Sequence, residues 1–149
     1  MTHDETTQNK HTVEKLFATF NGDDLGALDG LVADSYTGPQ GEKGPAGFRA
    51  VIGGLRAAFP DLHYTLDDLV AENDEVAVRW HWTGTHKGPF RGHPATGKVV
   101  TNNGLGIFHL RGDKVMTAVL ETDRLGFLQQ LGIIPEGAGL PPRAAPPAR

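Results

Sequence analysis

The sequence contains no cysteine, which excludes disulfides, thiolate metal ligands and a cysteine nucleophile together. Long apolar runs are missing too: nothing approaches the roughly 18 consecutive apolar residues of a membrane-spanning helix. Met1-Thr2-His3-Asp4-Glu5 has neither the basic start nor the apolar centre of a secretory signal, so cytoplasmic residence is the default expectation. Excess positive charge is also lacking. The 14 Lys and Arg are outnumbered by 18 Asp and Glu, giving a formal net charge of −4. The cations are scattered without a run or stripe, so a nucleic acid finds no track on which to release its counterions. Neither nucleic acid nor membrane is expected as a partner. The seven histidines form no helical His-x-x-x-His pair, and no metal site is expected.

What is present suits one folded domain. The chain has 149 residues, 38% of them hydrophobic and 21% charged, enough apolar material for a single core and not enough for two. Val13, Leu16, Phe17 and Phe20 recur at helical spacing and predict an amphipathic helix ending near Asn21-Gly22. Asp23-Asp24 predicts the cap of a second, short helix through Leu25, Leu28, Leu31 and Val32. The Gly- and Pro-rich stretch 37–47 reads as a loop. A third helix through Phe48, Val51, Ile52, Leu55 and Phe59 stops at Pro60. Its Gly53-Gly54 weakens helix propensity by about 1 kcal/mol per glycine, a cost that close approach of another backbone would explain.

After Pro60 the period changes to two. Leu62, Tyr64 and Leu66 alternate with polar neighbours, Asn73-Asp74 predicts a turn, and 75–82 alternates cleanly. The segment 87–97, with three glycines and two prolines, reads as a long loop. Strands 98–110 and 114–122 meet across Arg111-Gly112-Asp113, and Asp123 caps a last helix carrying Leu125, Leu128 and Leu131 that Gly132 ends. Three helices, an antiparallel meander and a closing helix make an α+β order, and a curved sheet over helices leaves a cone with an open mouth where a pocket can form. The domain is expected over 1–134, followed by a Pro/Ala-rich flexible tail, 135–149.

Five motifs, Phe59-Pro60-Asp61-Leu62, Glu75 through Trp80, Gly84 through Phe90, Ala95-Thr96-Gly97-Lys98 and Asp123 through Gly132, resemble in order the SnoaL-like polyketide cyclases. The resemblance runs from about Asn21 to Gly132. It implies the cone-shaped NTF2-like α+β fold, a homodimer or homotetramer, and a mainly apolar cavity for a small hydrophobic molecule. It also implies aldol-type ring closure by an Asp acid/base with no cofactor and no metal. Family members with hydroxylation-related chemistry or mere binding leave three functions open: cyclase, a related hydroxylation or epoxide-opening enzyme, and a non-catalytic binding protein. Two departures from the pattern stand out. Tyr36-Thr37-Gly38-Pro39 stands where relatives often carry His or Asn, and Thr117-Ala118-Val119 where they frequently carry Glu-His-Trp.

Aldol closure needs a base for a carbon acid beside a carbonyl and a donor for the oxygen that gains charge. Asp123, at the end of the last strand, is the first candidate, with helix capping as its other reading. Asn102 or Asn103, one of which must face inward, is the candidate donor, with His81 as helper. Asp123 is expected opposite Asn102 or Thr101. Glu121 shares the strand parity of Asp123. Arg79 and His81 point away from Trp80 and Trp82, so the two pairs line opposite faces, and a salt bridge is the alternative role for Arg79. His109 is expected to pair near Met116, far from Asp123. His86 and His93 flank the 87–97 loop as lid or solvated residues. Tyr36, Phe48, Phe59, Trp80, Trp82, Phe108 and Val119 complete the expected wall.

Overall fold

A computed structural model describes residues 3–138; the expectations for Met1-Thr2 and for the tail beyond residue 138 lie outside the described residues. Helix α1, His3–Asn21, buries Asn9, Thr12, Val13, Leu16, Phe17 and Phe20 along one face, with Asp4 and Glu5 in the first turn, where negative charge suits the helix dipole. The expected second helix is replaced by three short pieces. Asp24 accepts from the Gly26 N–H at 2.8 Å and starts a 3-10 turn, Leu25–Ala27. A single α-turn, α2, Leu28–Leu31, follows, and Val32–Thr37 then becomes strand β1. Tertiary pairing overrides helical spacing here: β1 runs parallel to the last strand, with Val32 beside Val115.

Helix α3 spans Gly44–Ala58 and begins inside the stretch expected as loop. Pro45 preorganises its first turn, and Gly44, at φ +60°, lets the chain pass the Asp34 carbonyl. Gly53 and Gly54 are exposed, and a Cβ at either would meet nothing within 4 Å. Among the described residues the close backbone approach expected there does not exist, and none of them explains the pair.

Strands β2 (His63–Glu72), β3 (Glu75–Thr85), β4 (Val99–Arg111) and β5 (Lys114–Thr122) form the meander, and α4 (Arg124–Gln130) closes the chain. The sheet order is β1-β5-β4-β3-β2. Gly112 and Asp113 at φ +56° and +65° supply the two left-handed residues that a tight β4–β5 hairpin needs. Two apolar clusters lie under one face of the sheet. The larger joins α1, α2 and α3 to Val76, Val78, Trp80, Phe108, Leu110, Val115 and Ala118. The smaller joins Ala58, Phe59 and Leu62 to Trp82, Val100, Phe127 and Leu131. Among the described residues no helix is long and apolar enough to cross a membrane.

Two side-chain amides act as substitute strands. Asn21, at the end of α1, donates to the Tyr64 carbonyl at 2.9 Å and accepts from the Tyr64 N–H at 2.7 Å. Gln130, at the end of α4, does the same to Thr101 at 2.8 Å in each direction, at a level of β4 that β5 does not reach.

Candidate functional site

Strand parity sorts the predicted residues onto two faces. Trp80, Trp82, Phe108 and Asn102 face inward, toward the helices, as do Tyr36 of β1 and Phe48 of α3. Tyr36, Phe48, Trp80 and Phe108 belong to the larger cluster, whereas Phe59 and Trp82 form the smaller one, their rings 5.0 Å apart. The wall is therefore divided between two aromatic groups. Trp80 lies across the backbone of β4: a Cβ on Gly104 would sit 2.8 Å from Trp80 Cη2, and one on Gly106 would sit 3.2 Å from Cζ3 and 2.5 Å from Leu120 Cδ2. The two glycines, alternating in Gly104-Leu105-Gly106, are the inner-face signal that sequence reasoning missed. Phe17, Tyr64 and Phe127, also missed, pack against these rings. Burial pushes the Tyr36 hydroxyl well above the ordinary tyrosine range, with the Glu42 carboxylate adding to the effect, so both tyrosine and wall stay neutral.

Six expected contributors lie on the other face or leave it. Arg79 points outward and its Nε donates to Asp68 Oδ2 at 2.6 Å, the salt bridge that was its alternative role. That hydrogen bond and charge raise the guanidinium pKa further. His81 Nδ1 lies 2.8 Å from Asp67 Oδ2. Asn103, Val119 and Glu121 are exposed on the outer face, because each shares parity with Leu105 and Ile107 rather than with Trp80 and Ala118. Val119 is therefore no part of the inner wall. His109 pairs with Thr117, beside Met116 and far from Asp123 as expected, with Met116 displaced by a bulge, and its Nδ1 lies 3.4 Å from Asp74 Oδ2.

His86 is fully buried, not solvated beside its loop as the sequence suggests. The Thr96 N–H donates to its Nδ1 at 3.2 Å, with Thr96 Oγ1 at 3.0 Å, which leaves the proton on Nε2. That nitrogen has no partner among the described residues. The ring lies 5.4 Å from Phe59, and Phe90 of the 87–97 loop packs on Phe59 and Phe127. His93 is exposed, joined to Phe90 by paired backbone bonds.

Asp123 stands where β5 gives way to α4. Its Oδ1 accepts from the Gly126 N–H at 3.0 Å, capping α4, and its own N–H donates to the Asn103 carbonyl at 3.0 Å. It is thus opposite Asn103, one residue further along β4 than expected. The side chain is half-buried. Asn102, the inward neighbour of Asn103, sits opposite Trp82, and its Oδ1 is buried with no hydrogen-bond partner among the described residues. By register Asp123 continues on the face of Glu121 and Asn103, with its carboxylate capping α4, while neighbouring Asn102 turns inward; a group that can move a proton and one that can hold an oxygen thus occupy adjacent register positions at the end of β5.

A family model described as SnoaL-like polyketide cyclase matches residues 10–131. Among solved structures, TsrD from Streptomyces laurentii is 32% identical, with 86% of this chain and 97% of that one covered at a TM-score of 0.79. IdmH from Streptomyces antibioticus, a candidate polyketide cyclase, is 28% identical over 84% of this chain and 99% of that one, TM-score 0.74. AclR from Streptomyces galilaeus, a candidate hydroxylase, is 26% identical over 88% of this chain and 85% of that one, TM-score 0.78. No curated protein matches the chain. The cone-shaped NTF2-like fold expected from the sequence is the one these structures share.

Proposed function

The chain belongs to the SnoaL-like polyketide cyclase family, and on that premise we propose that it closes a ring in a small, hydrophobic, carbonyl-rich molecule by aldol-type condensation without a cofactor. Asp123 takes a proton from the carbon beside one carbonyl. The enolate carbon forms a bond to a second carbonyl carbon of the same molecule, and the alkoxide so formed recovers the proton from Asp123. Asn102 positions an oxygen of the substrate. The observation that carries this reading is the position of Asp123 at the end of β5, bonded through its backbone to β4 beside inward-facing Asn102. Asp123→Asn tests it. Asn caps a helix as well as Asp does, so α4 stays folded, while loss of the acid/base costs about 10²- to 10⁴-fold in turnover of an aromatic diketone probe. Turnover unchanged in a folded Asp123→Asn protein rejects the assignment. The similarity to AclR favours a hydroxylation-type reaction as the second reading, and probe binding with no turnover in the parent protein points to a binding role.

We further propose a homodimer through the outer face of the sheet. Val70, Ala77, Ile107 and Val119 stand side by side across four strands, all four exposed, with Leu105 beside them. Four strands over about nine residues present roughly 600 Å², near the ~800 Å² per partner of a stable interface once side-chain relief is added. The charged pairs Arg79–Asp68 and His81–Asp67 flank this stripe as the polar rim. Ile107→Lys is expected to convert the dimer to monomer in sedimentation. A parent chain that is monomeric at about 100 μM contradicts the proposal.

A further inference from the structure

The outer face of the sheet carries two imidazole–carboxylate pairs, one at each end of its apolar stripe. His81 Nδ1 lies 2.8 Å from Asp67 Oδ2 and His109 Nδ1 lies 3.4 Å from Asp74 Oδ2, and both rings are half-buried. His81 stands beyond Ala77 along β3 and His109 beyond Ile107 along β4; because these strands are antiparallel, the two lie on opposite sides of the stripe. The rest of the face is acidic. Asp68 and Glu72 of β2, Glu75 of β3 and Glu121 of β5 share it by register, with Asp123 just past the end of β5. Glu75 is directly opposite His109, with Glu72 on the next strand. Against these carboxylates stand Arg79, already engaged by Asp67 and Asp68, and Arg111 at the hairpin end of β4. The third imidazole, His63, is at the far corner opposite Thr83, away from both pairs. The helices pack on the other face.

We propose that the interface between two copies of this chain is tightened by acid: association through the outer face takes up protons at His81 and His109. The inference rests on the outer-face dimer argued above and names what regulates it. Two acidic surfaces repel each other as they come within a Debye length, about 8 Å at physiological salt. With neutral imidazoles, Asp67 and Asp74 are bare carboxylates to be stripped of water at the margin of the stripe. An imidazolium makes each pair neutral overall and turns its contact into a charge-assisted hydrogen bond, which lowers that desolvation cost. Protonation therefore favours the dimer over the monomer. The gain is complete where the imidazoles are charged in monomer and dimer alike, and it is lost as pH rises past the point where even the dimer releases its protons. Histidine titrates near pH 6.5, a window in which carboxylates stay ionised. An average uptake of about half a proton per dimer over two pH units changes the dissociation constant about tenfold, a modest demand on two imidazoles per copy.

The test is sedimentation equilibrium of the full chain between about pH 6 and about pH 8 at one ionic strength, about 0.15 M. The expected result is a dimer dissociation constant about tenfold lower at the acid end. His81→Gln combined with His109→Gln abolishes this slope, and His63→Gln leaves it intact. If the double variant does not fold by circular dichroism, His81→Gln and His109→Gln are measured singly, and each lowers the slope. A dimer equally tight at both ends of the range, or looser at the acid end, overturns the inference and leaves the dimer standing. A slope that survives the double change, or that His63→Gln removes, overturns it as well. A parent chain that is monomeric at about 100 μM across the whole range contradicts the dimer itself, and the inference falls with it.

Discussion

Gly104→Ala probes the packing on which the inner wall depends. The added methyl would lie 2.8 Å from Trp80 Cη2 and closer still to Cζ2 and Cε2, whereas carbons rest at about 3.5–4.0 Å. The indole must therefore shift by about 1 Å. It has no room to do so. The Phe17 ring centroid is 5.8 Å away on the helix side, and the Gly106 backbone lies under the same ring, in an interior packed like a crystal. Overpacking of this kind costs about 1–3 kcal/mol, offset by about 0.5–1 kcal/mol because alanine loses less freedom than glycine on entering a strand. With three indole carbons inside 3.0 Å of the added methyl, the upper half of the overpacking range applies, about 2–3 kcal/mol, so the net expectation is about 1–2.5 kcal/mol of destabilisation, or roughly 2–10 °C in Tm for a domain of this size. Urea unfolding followed by far-UV circular dichroism measures it. Trp80→Phe in the Gly104→Ala background removes the clash, so the two changes together should cost less than their sum by about 1 kcal/mol. A Gly104→Ala protein within about 0.5 kcal/mol of the parent, or strict additivity in the pair, refutes the packing described.

Asn21→Ala removes both hydrogen bonds that tie α1 to β2 and should lower stability by about 1–2 kcal/mol; an unchanged urea midpoint contradicts that role. Asp61 accepts from the Thr85 N–H at 2.6 Å and the Thr85 hydroxyl at 2.7 Å, and the backbone bond first, then the hydroxyl, holds its carboxyl below the usual aspartate range. Since the folded pKa is the lower one, the stabilisation is complete above the unfolded value of about 3.9 and disappears as pH falls through the folded value. Asp61→Ala should therefore cost about 1 kcal/mol at neutral pH, trimmed by solvent because the group is exposed. The difference from the parent should narrow below about pH 4, and a gap that widens on acidification would show the sign to be wrong.

Elements whose own residues carry their burial pattern were legible in the sequence. Strand β3, the β4–β5 hairpin and the C-terminal half of α1 are where periodicity placed them, because one face of each meets the core; α1 starts earlier, at His3, where the turns before Asn9 bury nothing and leave no periodic signal. Asp123 was readable as the cap of α4 because capping is a local event. Strand β1 was not readable. Its Ala33-Asp34-Ser35 centre alternates poorly, and its place depends on β5, far away in sequence. Parity separated Trp80 from His81 but could not say which faced inward; the answer lies in Gly104 and Gly106, which admit an indole on one side only. His86 looked solvated because the glycines and prolines after it are. Its burial comes from Phe59 and Thr96, one in another element and one at the far end of the same loop.

The parallel pairing of β1 with β5 has a kinetic corollary. Every other neighbouring pair in the sheet is antiparallel, and those pairs follow one another along the chain, so they can zip up in turn as it leaves the ribosome. β1 alone is synthesised early and must wait for the last strand before it has a partner. Closing so long a stretch of chain is the slow kind of event in folding, and until it happens the free edge of β1 is open to any other extended segment in its vicinity.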